Sequence, residues 1–169
     1  MTDFAADPAP EPAAPLDGKG GCLCGAVRFE STALNPQVTL CHCSMCRKFH
    51  GHAGPYTSAP LSRFTLLDGQ GALRWYRSSA EAERGFCGLC GSSLFFRWIN
   101  GTQMEIAAGS LDGLTGLRMV KHIYVASKGD YYEIDDGLPQ LAQGSSEGGS
   151  SDGGSDEGGA GHEQSGQAA

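Results

Sequence analysis

The chain has 169 residues, a formal charge of −7 and 7 cysteines. The acidity belongs to the ends, because the span 18–138 holds all 12 lysines and arginines but only 10 of the 19 acids. So little positive charge disfavours nucleic-acid binding, no apolar run approaches the ~18–20 residues that span a bilayer, and an odd cysteine count excludes a complete disulfide framework.

Composition divides the chain into one domain and two tails. Residues 1–17 are rich in Ala, Pro and acid, and residues 141–169 in Gly, Ser and acid, so both are predicted to be disordered. Residues 18–140 are predicted to form a single domain of ordinary size. The N-terminus has no positive segment followed by an apolar one, so we expect no signal peptide and a soluble, cytoplasmic protein.

The domain is predicted to consist of short strands separated by turns. A turn at 20–25 leads into a strand carrying Val27, and a second strand runs into Cys41. Ser44 is predicted to cap one helical turn, which Gly51 and the Gly54-Pro55 pair end. Such spacing predicts a mainly β fold, a sandwich of short antiparallel strands with little helix. Further strands are predicted at 64–67, 73–77, 82–86, 93–98, 104–108, 122–125 and 131–134.

The cysteines fall in three clusters, with spacings C-x-C from Cys22, C-x-C-x-x-C from Cys41 and C-x-x-C from Cys87. Residues i and i+2 of a strand face the same side, so a C-x-C pair can aim at one ion. A C-x-x-C-G turn brings two sulfurs together, with Gly91 free to adopt a positive φ. In a reducing compartment such clusters indicate metal ligands, and zinc suits thiolates best.

Ligand counting divides the thiols into four and three. A closed structural zinc site needs four ligands, whereas a catalytic site keeps three and leaves one position open. Other divisions leave a lone thiol or a crowded five-thiol site. His50 or His52 could instead complete the three as a closed Cys3His site. The predicted structural ligands are Cys22, Cys24, Cys87 and Cys90, and the predicted catalytic ligands are Cys41, Cys43 and Cys46.

The same motifs resemble the glutathione-dependent formaldehyde-activating enzyme (GFA) family, which includes centromere protein V. The resemblance runs from about Gly18 to Gln140 and rests on G-G-C-L-C-G-A-V from Gly20, C-H-C-S-M-C-R-K from Cys41 and F-C-G-L-C-G-S from Phe86. It implies an Mss4-like β-rich fold, two zinc ions and carbon–sulfur lyase activity. The resemblance assigns the same four cysteines to the structural site and the same three to the catalytic site as ligand counting does.

The reaction implied by the resemblance is the reversible addition of glutathione to formaldehyde, giving S-hydroxymethylglutathione. An open zinc position could deprotonate the thiol or polarise the aldehyde oxygen, and both remain open. His50 or His52 could carry the proton, and Arg47 and Lys48 could attract a glutathione carboxylate. The alternatives are a zinc-stabilised binding module without catalysis and a lyase for another thiol adduct. We expect a small-molecule thiol and formaldehyde as partners, and neither nucleic acid nor membrane.

Overall fold

The computed structural model describes residues 14–144, so most of both predicted tails lies outside the described residues. The described part contains ten strands, one α-helix and three short 3-10 helices. The strands are β1 (Leu16–Gly21), β2 (Arg28–Leu34), β3 (Gln37–Cys41), β4 (Gly54–Pro60), β5 (Phe64–Leu67), β6 (Leu73–Arg77), β7 (Ala82–Cys87), β8 (Ser93–Trp98), β9 (Gln103–Ala107) and β10 (Arg118–Ile123). The helix α1 is Ser44–His50, and the 3-10 helices are Leu61–Arg63, Ala108–Ser110 and Val125–Ser127.

The strands form two sheets. One has the order β1-β2-β5, and the other has the order β10-β3-β4-β9-β8-β7-β6. Neighbouring strands are antiparallel except β10 and β3, which are parallel. This confirms the predicted mainly β fold with antiparallel sheets and little helix. None of the helices between residues 14 and 144 has the length and apolar character needed to cross a bilayer.

The core lies between the two sheets and is largely aromatic. Phe29 of the small sheet meets Phe95 of the large one edge-to-face, with ring centroids 5.2 Å apart. Phe64 and Trp75 contact the same Phe95 ring from either side. Because Phe29 and Phe95 are 1% and 0% exposed, each contributes roughly 1.5–3 kcal/mol by burial. Along each strand of the large sheet, the neighbours of these core residues point to the opposite face of the sheet.

That opposite face is where the cavity described below lies. Arg84, Phe96 and Glu105 sit side by side on β7, β8 and β9. Helix α1 covers part of this face, with the Phe49 ring 6.4 Å from that of Phe86. The large sheet therefore packs a core on one side and supports a site on the other.

Two strands were missed by the sequence patterns. β1 begins at Leu16, inside the predicted tail, because Leu16 pairs with Leu34 and packs against the core; the division into tails and domain otherwise stays a prediction. β4 begins at Gly54, which was expected only to end the helix. Pro55 is tolerated there because it lies opposite Leu40 of β3, and pairing with β9 starts one residue later.

Two predictions near the C-terminal end are wrong in detail. The strand predicted at 122–125 lies at Arg118–Ile123, because Tyr124 adopts a left-handed φ of 57° and a 3-10 helix follows. The strand predicted at 131–134 is turn and irregular structure. This segment does not pair with a strand through its backbone. Side-chain contacts hold it in place instead, including a hydrogen bond between Tyr132 and His42.

Candidate metal centres and active-site pocket

The four predicted structural cysteines converge at one point. Their sulfurs all lie within 4.8 Å of one another, with Cys22 and Cys24 at 3.5 Å and Cys24 and Cys87 at 3.8 Å. A tetrahedral zinc ion with Zn–S bonds of about 2.3 Å holds neighbouring sulfurs ~3.8 Å apart. The donor set and its spacing therefore fit a metal ion of this kind. All seven cysteines of the chain are free thiols.

Two glycine-ended turns bring these sulfurs together. Gly25 and Gly91 both have φ of 77°, a conformation that glycine adopts without strain. The N–H of Gly91 donates to the carbonyl of Cys87 at 2.8 Å, and that of Gly25 donates to Cys22 at 3.0 Å. Cys22 and Cys24 were predicted to lie on one face of a strand. They lie instead in the turn that follows β1. The positive φ predicted for Gly91 is confirmed.

The second cluster joins the end of β3 to the start of α1. The sulfurs of Cys41, Cys43 and Cys46 lie within 4.8 Å of one another. Cys43, not the predicted Ser44, is the helix N-cap: its φ and ψ are −60° and 153°, and its sulfur accepts from the Cys46 N–H at 3.3 Å. The helix terminus favours a negatively charged sulfur at this position.

The three thiols compete for negative charge. Hydrogen bonds from Cys41 and Cys46 hold the pKa of the Cys43 thiol far below its usual 9.0. The thiolate at Cys43 in turn raises the pKa of Cys41, as does burial. Like charges so close cannot all ionise without a compensating cation. A divalent metal supplies that charge, so this cluster also fits a metal ion, and its ligand set is consistent with zinc.

The two histidines considered as a fourth ligand are engaged elsewhere. His50 makes hydrogen bonds through Nε2 to the Tyr56 hydroxyl at 2.6 Å and through Nδ1 to Ser93 Oγ at 3.1 Å. Burial lowers the pKa of His50 to about 4, so it is neutral at pH 7. His52 is exposed and bonds through Nδ1 to the Tyr131 hydroxyl at 2.9 Å. Among residues 14–144, the three-thiol cluster contains no histidine.

His42 points away from the thiols on either side of it, as strand alternation predicts. It is fully buried, and its Nε2 lies 2.9 Å from Nδ1 of His122. His122 Nε2 lies 2.8 Å from an oxygen of Asp136, and the Tyr132 hydroxyl meets His42 Nδ1. This chain of four side chains fixes the loop that carries Cys41 and Cys43 against the C-terminal segment. This chain of side chains could not be predicted from local spacing, because His42 is 80 residues from His122 and 90 residues from Tyr132.

A cavity of about 520 Å³ opens beside the three-thiol cluster. This volume is in the range of small-molecule sites. Its lining combines the three sulfurs with aromatic, hydroxyl and charged side chains, among them Cys41, Cys43, Cys46, Tyr56, Ser78, Arg84, Phe96, Trp98, Glu105 and Tyr124. The lining residues come from six different strands of the large sheet, helix α1 and the segments that follow β3, β6 and β10.

The charged groups of the cavity are not the ones predicted. Arg47 donates from Nε to the Ser127 carbonyl at 3.0 Å, Lys48 is exposed, and neither lines the cavity. Arg84 and Glu105 line it instead, and burial raises the pKa of Glu105 to about 7. The sequence contained one signal for Arg84. It lies two residues after Ala82 and two before Phe86, so strand alternation puts its charge on the same face as these apolar side chains.

The architecture defines a class of protein, namely a β-rich protein with one four-cysteine cluster and one three-cysteine cluster, each able to hold a metal ion, the second of which opens on a cavity. Residues 17–127 match the family model described as glutathione-dependent formaldehyde-activating enzyme. The chain belongs to this family, as its motifs predicted.

Individual proteins support the assignment. An uncharacterised lyase of Schizosaccharomyces pombe is 28% identical over 116 residues, which cover 68% of this chain and 83% of the relative. A Halomonas elongata protein named "Putative glutathione-dependent formaldehyde-activating enzyme" is 33% identical over 90 residues, or 47% of this chain and 57% of the relative. The crystal structure of a Rhodobacter sphaeroides protein superposes with a TM-score of 0.50 at 31% identity, covering 57% of this chain and 90% of that one.

Proposed function

We propose that the protein is a zinc-dependent carbon–sulfur lyase that forms or cleaves S-hydroxymethylglutathione, with glutathione and formaldehyde as its small-molecule partners. The observation that carries the proposal is the three-thiol cluster facing a cavity of about 520 Å³. A purely structural site gains nothing from a cavity beside an incomplete ligand set, whereas a catalytic site needs both. Membership of the family and the names of the relatives agree with this proposal.

The proposal gives the two cysteine clusters different roles. The four-cysteine site would hold a structural zinc ion that adds to the folding free energy. Cys41, Cys43 and Cys46 would hold the second, and zinc bound there supplies a positive centre that favours thiolate over thiol or polarises a carbonyl. Seven free thiols also favour a reducing compartment, so we propose a cytoplasmic location.

The chain's own residues account for the remaining requirements. Phe96 and the partly exposed Trp98 offer an apolar wall to the carbon skeleton of a thiol, and they exclude water from one side of the cavity. The Glu105 carboxyl can take up the thiol proton and return it to the product oxygen, because a group with a pKa of about 7 exchanges protons readily at neutral pH. His50 is a weaker candidate for this proton, since its pKa of about 4 leaves it neutral.

Exchange NMR on mixtures of glutathione and formaldehyde tests the proposal. We expect zinc-loaded protein to accelerate interconversion of free and adduct signals above the buffer rate, and Cys43→Ser to abolish the acceleration. Ser44→Ala is the matched control, because Ser44 is the exposed neighbour of the ligand and lies outside the cavity lining.

The outcomes separate the candidate functions. Exchange no faster than in buffer, with two zinc ions per chain, rejects the glutathione–formaldehyde reaction. Acceleration with a different thiol then indicates a lyase for another adduct. No acceleration with any thiol indicates a zinc-stabilised binding module.

A further inference from the structure

Arg84 is a buried charge without a carboxylate partner. It is 3% exposed, and none of the ion pairs formed among residues 14–144 includes it. Aromatic rings flank the guanidinium instead, with its central carbon 5.1 Å from the Phe96 centroid and 6.0 Å from that of Phe49. Burial of a guanidinium is costly unless its donors and its charge are met. In this chain the charge stands beside the three-thiol cluster, with Nη2 of Arg84 3.8 Å from Cys46 Sγ.

The donors of Arg84 are only partly used. Nη1 donates to the Ser78 hydroxyl, and Nη2 donates to Cys46 Sγ at 3.8 Å. Nε is buried and has no hydrogen-bond partner within the described part of the chain. A buried guanidinium without a compensating anion is destabilising, so the retention of Arg84 at the cavity wall points to an anionic group that arrives with a ligand.

The guanidinium of Arg84 lies close to the reacting centre. Its Nη2 donates to Cys46 Sγ at 3.8 Å, so this edge of the planar group lies beside the three-thiol cluster. Arg84 and Cys46 both line the cavity, so a ligand atom beside the cluster falls within reach of this edge.

The proposed reaction creates an acceptor at this place. When a thiolate adds to formaldehyde, the sulfur lone pair forms the C–S bond and the C=O π pair moves to oxygen. The oxygen carries a full negative charge until it takes up the proton that the thiol lost, so that thiol and aldehyde give the hydroxymethyl adduct without any other reactant. This oxygen lies two bonds from the sulfur. Preorganised donors aimed at such an oxygen are typically the largest catalytic contribution in additions to carbonyls.

We propose that Arg84 is the oxyanion-binding residue of this site: its guanidinium donates to the oxygen that becomes negative as sulfur adds to the carbonyl carbon. The identity of the oxygen rests on the proposed function, whereas the presence of an anion-binding donor beside the three-thiol cluster does not. The carboxylates of glutathione lie seven or more bonds from its sulfur, so the position of Arg84 favours the adduct oxygen over them.

Binding of two small thiols to the zinc-loaded protein tests this without catalysis. Mercaptoacetate carries negative oxygens three bonds from its sulfur, and ethanethiol is a similar thiol without oxygen. We expect mercaptoacetate to bind about tenfold or more tightly than ethanethiol by calorimetry, because a hydrogen bond between charged groups is among the strongest. Arg84→Met should abolish the preference. Arg97→Met is the matched control, since Arg97 stacks on Trp75, pairs with Glu83 and lies outside the cavity.

A measurement on the wild-type protein covers the case in which Arg84→Met fails to fold. The Nε–H signal of Arg84, assigned by its loss in Arg84→Lys, should shift on addition of mercaptoacetate but not of ethanethiol. Equal affinities for the two thiols, failure of both to bind, or an unmoved Nε–H signal would overturn the proposal. A larger effect of Arg84→Lys on glutathione than on its diester would also overturn it, because Arg84 would then be a carboxylate anchor.

These readouts also separate this proposal from the lyase function. If mercaptoacetate shifts the Arg84 signal in a protein that does not accelerate glutathione–formaldehyde exchange, the anion site stands and the reaction is rejected. If exchange is accelerated, Arg84→Lys should lower kcat by about 10²-fold with KM for glutathione nearly unchanged, as for loss of one oxyanion donor. Loss of zinc or a lower melting temperature together with activity would instead identify a structural role.

Discussion

Replacement of Glu105 by Gln should make the protein more stable at high pH. Burial raises the pKa of the Glu105 carboxyl from 4.5 to about 7 in the folded protein. Because the pKa is higher in the folded state, ionisation of Glu105 lowers the free energy of unfolding. This penalty is absent below pH 4.5, grows between pH 4.5 and pH 7, and is complete above pH 7. Each unit of pKa corresponds to about 1.4 kcal/mol, which gives a full penalty of about 3 kcal/mol. Gln has nearly the same shape and no charge, and therefore removes this penalty.

Urea unfolding of Glu105→Gln and wild type at pH 5.5 and pH 8 measures the effect. The wild-type penalty is about 1 kcal/mol at pH 5.5 and about 3 kcal/mol at pH 8, so the stability advantage of the variant should grow by about 2 kcal/mol. Zinc affinity also changes with pH, but it is common to both proteins and cancels in the comparison. Glu133→Gln, at a side chain 86% exposed, controls for loss of one charge. An advantage that is the same at both pH values would refute the reasoning.

Three further predictions concern the metal sites and the histidine chain. Cys90→Ala should lose one zinc ion and the cooperative unfolding transition, whereas Cys43→Ala should lose one zinc ion and keep that transition; loss of both ions from Cys43→Ala, by elemental analysis, would contradict the division into four and three. Tyr132→Phe leaves buried His42 without a partner at Nδ1 and should lower the free energy of unfolding by about 1–3 kcal/mol in urea, and an unchanged midpoint would count against this contact. Gly91→Ala should lower the free energy of unfolding by about 1–2 kcal/mol. An added Cβ meets nothing within 4 Å, but alanine is strained at the φ of 77° found there. A melting temperature equal to that of the wild type would contradict this prediction and show that the turn relaxes.

The two cysteine clusters were predictable because their determinants are local. A C-x-C or C-x-x-C spacing fixes the separation of two sulfurs within one turn, whatever the rest of the chain does. The same holds for the positive φ at Gly91 and for the strands at 64–67, 73–77 and 93–98, which the structure has with the predicted bounds. The capping role of Cys43 was missed because Ser is the commoner N-cap, and a thiolate takes the role here.

The sequence by itself therefore determined the class of fold, the family and the grouping of the cysteines into four and three. Tertiary structure alone decided what surrounds them. Arg84 and Glu105 come from strands β7 and β9, and they line the same cavity as Cys46 only because the register of the large sheet aligns them. The pairing of His42 with His122 likewise joins residues 80 positions apart. Local patterns carry backbone geometry and ligand spacing, but a cavity is formed by contacts between distant segments, and its charges follow from burial that no single segment specifies.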